Sequence, residues 1–211
     1  MEFHSPFNLI VSGGSSSGKT SCLMKFLKER KHLIDNPPEI IRWCYGAFNK
    51  KLLDFQNDPQ IIHNGVPSLE LIENGTRPSM LILDDLMTTL DKKTISDLFA
   101  KIGHHSNCSV ILLCQNCFYR PLREARINSH YIVLMRNISD GLQLKTLAQQ
   151  IFGRDAKVMQ EAYEDACKEP YSYLLINIHP STRDKLHLFT GIFSDDGPLV
   201  AYTPKVAHGS V

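Results

Sequence analysis

The chain has 211 residues, 43 % hydrophobic and 21 % charged, the composition of a folded domain that builds its own core. With 23 Lys+Arg against 22 Asp+Glu the net charge is +1, which argues against a stand-alone basic nucleic-acid-binding module but leaves room for a few basic residues collected around a ring. The absence of a secretory leader pattern and of any apolar run near the roughly 20 residues that span a bilayer, with six cysteines read as reduced thiols, predicts an intracellular, soluble protein.

The first element is Phe7-Asn8-Leu9-Ile10-Val11, a nearly continuous apolar run that fits a buried strand of a parallel sheet. After a loop of glycine and serine, a helix is expected from Thr20 to about His32. Leu23, Met24, Phe26 and Leu27 form its apolar face, and Lys25, Lys28, Arg30 and Lys31 are expected in solvent. Asn36-Pro37-Pro38 breaks the chain. A second strand is read over Glu39–Tyr45, a helix-like stretch over Asn49–Phe55, and a short third strand over Gln60–His63. Ser79–Asp85 is a hydrophobic strand ending in two carboxylates, and Lys93–Ile102 is an amphipathic helix. Ser109–Gln115 and Tyr131–Met135 are further buried strands. Helices follow over Gly141–Ile151 and Ala156–Cys167, then strands over Tyr171–Ile178 and Leu186–Phe193, joined as a hairpin around His179–Thr182. Alternating strands and helices predict an α/β fold with a mainly parallel sheet covered by helices on both faces. One domain is expected over residues 1–196, with an irregular tail over 197–211.

The first chemical motif is Gly13-Gly14-Ser15-Ser16-Ser17-Gly18-Lys19-Thr20, a match to G-x-x-x-x-G-K-[ST]. Gly13 and Gly18 let the backbone turn and approach a phosphate closely. Successive N–H groups over Gly13–Ser21 form an anion nest, and the helix starting near Gly18 adds its positive end. Lys19 reaches the β- and γ-phosphates, and the Thr20 hydroxyl is a ligand for Mg²⁺. The position of the motif between an apolar strand and a helix separates it from a chance match, and the motif alone does not separate ATP from GTP.

The second motif is Leu81-Ile82-Leu83-Asp84-Asp85. Two carboxylates at the end of a buried strand are costly without a cation. Asp84 is suited to Mg²⁺, and Asp85 to orienting the attacking water or taking its proton. The third is Gln115, at the carboxyl end of Val110–Cys114, where it senses a γ-phosphate or positions water if that strand neighbours the phosphate-loop strand. Arg120, Arg123, Arg126 and Arg136 follow closely, and spacing alone does not choose among them as a charge-stabilising arginine. Cys114-Gln115-Asn116-Cys117, with His104, His105 and Cys108 upstream, imitates a zinc site, but Cys114 belongs to a core strand and no second C-x-x-C exists. Lys92-Lys93 reads as a solvated helix start rather than a DNA contact.

Taken together, Gly13–Thr20, Met80–Asp85, Val110–Asn116 and Ala125-Arg126-Ile127-Asn128 ahead of an apolar strand resemble the FtsK/HerA-type genome-packaging ATPases. The resemblance runs from about Asn8 to Phe193 and points to the poxvirus-like group found in large DNA viruses and Maverick/Polinton elements. It implies a P-loop (RecA/FtsK-like) ATPase that hydrolyses ATP with Mg²⁺, as a homo-oligomeric ring, to drive double-stranded DNA into a capsid. Capsid or portal-vertex proteins are then partners, at a nuclear or cytoplasmic virus-assembly site or on the virion. The implied roles are phosphate and Mg²⁺ binding for Lys19 and Thr20, Mg²⁺ for Asp84, water activation for Asp85, a sensor at Gln115 and a trans-acting finger at Arg126. Many members of the wider superfamily have Glu where this chain has Asp85, one methylene shorter. A small-molecule or nucleotide kinase, and an assembly protein that binds nucleotide with little turnover, are the competing readings.

Overall fold

A computed structural model describes residues 1–46, 58, 61–64, 77–86, 89–102, 106–137, 141–182 and 187–204. The helix-like stretch read at Asn49–Phe55, and His104 and His105, lie outside the described residues. The strands are β1 (Asn8–Ser12), β2 (Ile40–Tyr45), β3 (Ile61–Asn64), β4 (Ser79–Asp84), β5 (Cys108–Cys114), β6 (Tyr131–Met135), β7 (Tyr173–Asn177), β8 (Leu188–Thr190) and β9 (Val200–Tyr202). The helices are α1 (Lys19–Leu33), α2 (Lys92–Asp97, continued as a π-helical turn over Leu98–Ile102), α3 (Arg123–Ile127), α4 (Gly141–Phe152) and α5 (Ala156–Ala166).

The strands form one sheet in the order β3-β2-β4-β5-β1-β6-β7-β8-β9. From β3 to β6 all pairs are parallel, and β7, β8 and β9 are added antiparallel. The β1 strand is central, and every residue from Asn8 to Ser12 is buried, as its apolar run requires. Alternate residues face two cores. Leu9, Val11, Trp43, Ile82, Leu113 and Val133 pack with α1 residues Leu23, Phe26 and Leu27. Ile10, Leu81, Leu83, Leu112, Ile132 and Leu174 pack on the other face with Ile95, Phe99, Ala125, Leu147 and Met159. Helices therefore cover both faces, and a fully buried Leu or Ile contributes about 1.5–3 kcal/mol.

Three expectations are corrected. The segment after Gly197, expected to be irregular, adds the edge strand β9 by pairing with β8. Arg30 is buried rather than solvated, because Asp58 accepts from it at 2.9 Å and the Leu27 carbonyl at 2.7 Å. Lys25 is tied to Asp196 at 2.6 Å and Asp195 at 2.9 Å, which fixes the loop after β8 onto α1. Helix α3 was not anticipated. Its five residues expose Ile127 and bury Ala125, too short a stretch for a 3.6-residue period to register.

Candidate functional site

All strands from β3 to β6 point the same way, so their carboxyl ends meet at one edge. The register places Ser12 opposite Cys114, and Asp84 opposite Leu113. That edge brings together the glycine loop after β1, the carboxylates after β4 and Gln115 after β5, as ligand sites in such sheets require. The β5 strand is the direct neighbour of β1, which meets the condition on which the reading of Gln115 depends. Gln115 is exposed one residue beyond the strand. Its segment is tied to the loop strand by two bonds: Gly13 N–H donates to Cys114 O at 3.2 Å, and Cys117 N–H donates to Ser12 Oγ at 3.0 Å.

The loop from Gly13 to Thr20 has the local shape its composition demands. Gly18 adopts φ 99, and Ser16 also lies in the left-handed region at φ 60. A Cβ on Gly13 would come within 2.6 Å of both Met135 Cβ and Ser17 Oγ, so only glycine fits there. Helix α1 starts at Gly18 with no side-chain cap and no acid in its first turn. Its leading N–H groups are thereby left for an anion. Ser17 Oγ is buried without a protein partner among the described residues. Gly14, Ser15 and Ser16 form the turn, and Ser16, Ser17, Gly18, Lys19, Thr20 and Ser21 line a cleft of about 730 Å³. That is within the usual size of small-molecule sites, about 300–1,000 Å³.

Lys19 folds back on its own loop, donating from Nζ to Gly13 O at 2.6 Å and Gly14 O at 2.8 Å. Burial lowers its pKa, against the opposing pull of Cys114, Asp84 and Asp85. Burial raises the Asp84 pKa, the Trp43 indole offsets part of that, and Asp85 adds repulsion that Lys19 counters. Asp84 is thus a half-buried carboxylate that gains from a cation. Together with Thr20 it offers hard oxygen donors of the kind Mg²⁺ takes, so these residues fit the ion.

Asp85 is exposed and adopts φ 54, an unfavourable conformation for a non-glycine residue. Beside it, Gly46 N–H donates to Asp84 O at 3.2 Å. Gly46 and Trp43, both supports of the carboxylate pair, escaped the sequence reading. The signal available was a glycine directly after the apolar strand Ile40–Tyr45.

The arginines separate. Arg126 Nη1 donates to Cys117 O at 3.0 Å, and its guanidinium lies 4.7 Å from the centre of the Phe118 ring. Arg120 and Arg123 are exposed on the same segment, and Arg136 follows β6. Cys114 and Cys117 are buried thiols, and burial pushes Cys114 up to about 12. Among the described residues no group of three or more His, Cys, Asp or Glu side chains is arranged to hold a metal ion.

No family model matches the chain. Curated DNA packaging proteins, named OPG160, of Monkeypox virus and Variola virus are 26 % identical over 149 residues, which is 64 % of this chain. The chain spans about half the length of the curated relatives it matches, 50 % and 55 % respectively. Among solved structures, the genome packaging NTPase B204 of Sulfolobus turreted icosahedral virus 2, in complex with ATP-gammaS, superimposes with TM-score 0.56 at 12 % identity. That match covers 95 % of this chain and 98 % of the other. EssC of Geobacillus thermodenitrificans gives the same TM-score over 97 % of this chain and 41 % of its own. The fold is therefore that of the P-loop NTPases, and the chain is a sequence relative of the poxvirus DNA packaging proteins, in line with the FtsK/HerA-type packaging ATPases its motifs resemble.

Proposed function

We propose that this protein is an ATPase that moves double-stranded DNA into a viral capsid as a homo-oligomeric ring. The observation that carries the reading is a glycine loop, two strand-end carboxylates and a strand-end glutamine converging on one edge of a sheet, in a relative of proteins named for DNA packaging. Gly13 to Ser21 would hold the triphosphate through backbone N–H groups, with Lys19 turning from the Gly13 and Gly14 carbonyls to the β- and γ-phosphates. Thr20 and Asp84 would hold Mg²⁺, which when bound supplies neutralising charge for the phosphates. Asp85 orients water or takes its proton as the γ-phosphoryl group leaves ADP. Gln115, exposed just beyond the strand that neighbours β1, would read the γ-phosphate. Asp85 is one methylene shorter than glutamate, and its backbone lies in the left-handed region at φ 54.

Arg126, the finger that the resemblance implies, is held by Cys117 O and the Phe118 ring of its own chain, so we assign to a neighbouring subunit's nucleotide the exposed Arg120 and Arg123, the latter engaged by a solvent-exposed ion pair to Glu124 at 3.6 Å. The DNA contacts of such a motor are mostly to phosphate and hence sensitive to salt. Capsid or portal-vertex proteins would anchor the ring at a virus-assembly site. Among the described residues no helix is long and apolar enough to cross a membrane.

The test is steady-state ATP hydrolysis by wild type and Lys19→Ala, with and without linear double-stranded DNA. Stimulation by DNA that the variant loses is the expected result. Phosphoryl transfer to an added acceptor, indifferent to DNA, would replace the motor with a kinase. Tight ATP binding with no turnover, even with DNA and capsid protein present, would make it an assembly protein.

A further inference from the structure

Tyr171 is an aromatic residue that lines the same cleft as Gly18, Lys19, Thr20, Ser21 and Lys25. Two facts set it apart from a packing residue. Its side chain is left 69 % exposed, and its backbone sits at φ 64, where glycine would be at ease and tyrosine is not. The turn that carries it is nonetheless pinned. Ser172 N–H donates to Glu169 O at 3.3 Å, Ser172 Oγ donates to the same oxygen, and Arg136 N–H donates to Ser172 O at 2.9 Å. The last bond ties the turn to the end of β6, whose Met135 also borders the glycine loop.

The position of the ring is equally definite. A Cβ on Gly18 would lie 3.2 Å from Tyr171 Cδ1 and 3.4 Å from Tyr171 Cβ. The ring thus begins where the phosphate loop becomes helix α1, with Ser21 and Lys25 lining the cleft from the next part of that helix. An aromatic face kept in water by a strained, well-anchored turn beside a phosphate nest is placed to meet the apolar end of a nucleotide.

We propose that Tyr171 is the stacking platform for the purine base of the nucleoside triphosphate held by Gly13–Thr20, an assignment that rests on the nucleotide reading above. Stacking uses the face of the base and not its hydrogen-bonding edge, so ATP and GTP are held alike. Inorganic tripolyphosphate, which has no base, gains nothing from the ring.

The experiment is calorimetric titration of wild type, Tyr171→Phe, Tyr171→Ala and Tyr171→Gly with ATP, GTP and tripolyphosphate in the presence of Mg²⁺. Tyr171→Ala and Tyr171→Gly should lose roughly ten- to hundredfold in affinity for both nucleotides, the range typical of base–aromatic stacking. Their tripolyphosphate affinity should not change, and Tyr171→Phe should match wild type. Because glycine relieves the backbone, Tyr171→Gly should melt no lower than wild type, which separates lost stacking from misfolding. ATP affinity equal in wild type and Tyr171→Ala overturns the assignment and leaves the nucleotide site standing. Equal losses for ATP and tripolyphosphate overturn it too, since Tyr171 then only shapes the loop at Gly18. Failure of wild type to bind either ATP or tripolyphosphate overturns the nucleotide reading and the assignment with it.

Discussion

The main-chain oxygen of Asp85 lies 2.8 Å from where a Cβ on Gly46 would stand. The two residues close the ends of neighbouring strands, and the Gly46 N–H also holds Asp84 O. A methyl group at position 46 must push the Asp85 backbone, which is the fixed part of the clash. Gly46→Ala should therefore cut ATP turnover, by as much as roughly a hundredfold if it displaces Asp85 from the water-positioning role proposed for it. ATP affinity should stay near wild type, because the phosphate loop follows β1, with β4 and β5 lying between it and β2. Turnover and affinity measured side by side check this, and an equal fall in both would mean that the substitution unsettles the whole sheet edge.

Asp85 itself carries backbone strain, with φ 54. Strain kept at a working residue trades stability for activity. Asp85→Gly should melt above wild type while losing hydrolysis. Asp85→Asn keeps the shape and removes the charge, so it should bind ATP and hydrolyse it poorly. Thermal melting and turnover of the two variants are the measurements. Normal turnover in Asp85→Asn would take Asp85 out of the catalytic set.

Much of this site is legible in the sequence because its parts are local. Gly13, Gly18 and Lys19 are fixed by the turn they make, and Asp84 and Asp85 by the apolar strand they end. The buried strands β1, β4, β5 and β6 are read from unbroken runs of large apolar residues. What a sequence does not display is which strand ends become neighbours. Gly46 matters only because β2 pairs with β4, and Tyr171 only because β7 returns antiparallel beside β6. Arg30 misled for a related reason: its partner, Asp58, lies far along the chain, so the helix pattern alone placed it in solvent. Strand β9 exposes Val200 and Ala201 and presents no apolar alternation; its pairing with β8 defines it.

Arg126 connects the glutamine loop to the rest of the domain. Its bond to Cys117 O and its place over Phe118 restrain the segment two residues beyond Gln115. A charged hydrogen bond and a cation–π contact together are worth about 2–4 kcal/mol. Arg126→Ala should lower turnover by loosening this loop within the same subunit. Mixing Arg126→Ala with Asp85→Asn subunits should then restore nothing, whereas an Arg120→Ala or Arg123→Ala subunit mixed with Asp85→Asn should recover hydrolysis. Recovery in the Arg126 mixture would return the trans-acting role to that residue. The readout is ATP turnover across the mixing ratio.

The opposite edge of the sheet supplies a dependence on pH. There His179 stacks on Tyr131 at 5.9 Å and faces the rings of His4 at 5.3 Å and His130 at 5.0 Å. Burial, then the nearness of His4, lowers the His179 pKa, and Asp35 opposes them only in part. The fold thus keeps this imidazole neutral. As pH falls, the unfolded chain takes up the proton first, at about 6.5. Stability is full above that value and is lost as pH drops from there towards the folded pKa. Asp35 behaves in the other sense. It is partly buried, which raises its pKa, but the Ser5 N–H and His4 outweigh this and hold it low. Its contribution is present above about pH 3.8 and disappears only below it, so the two groups act in separate windows. Urea midpoints from about pH 8 to about pH 5 should fall for wild type and fall less for His179→Gln. Equal declines would assign the loss to other histidines. Since this cluster lies at the amino ends of β1 and β6, away from the phosphate loop, ATP affinity should not follow the same titration.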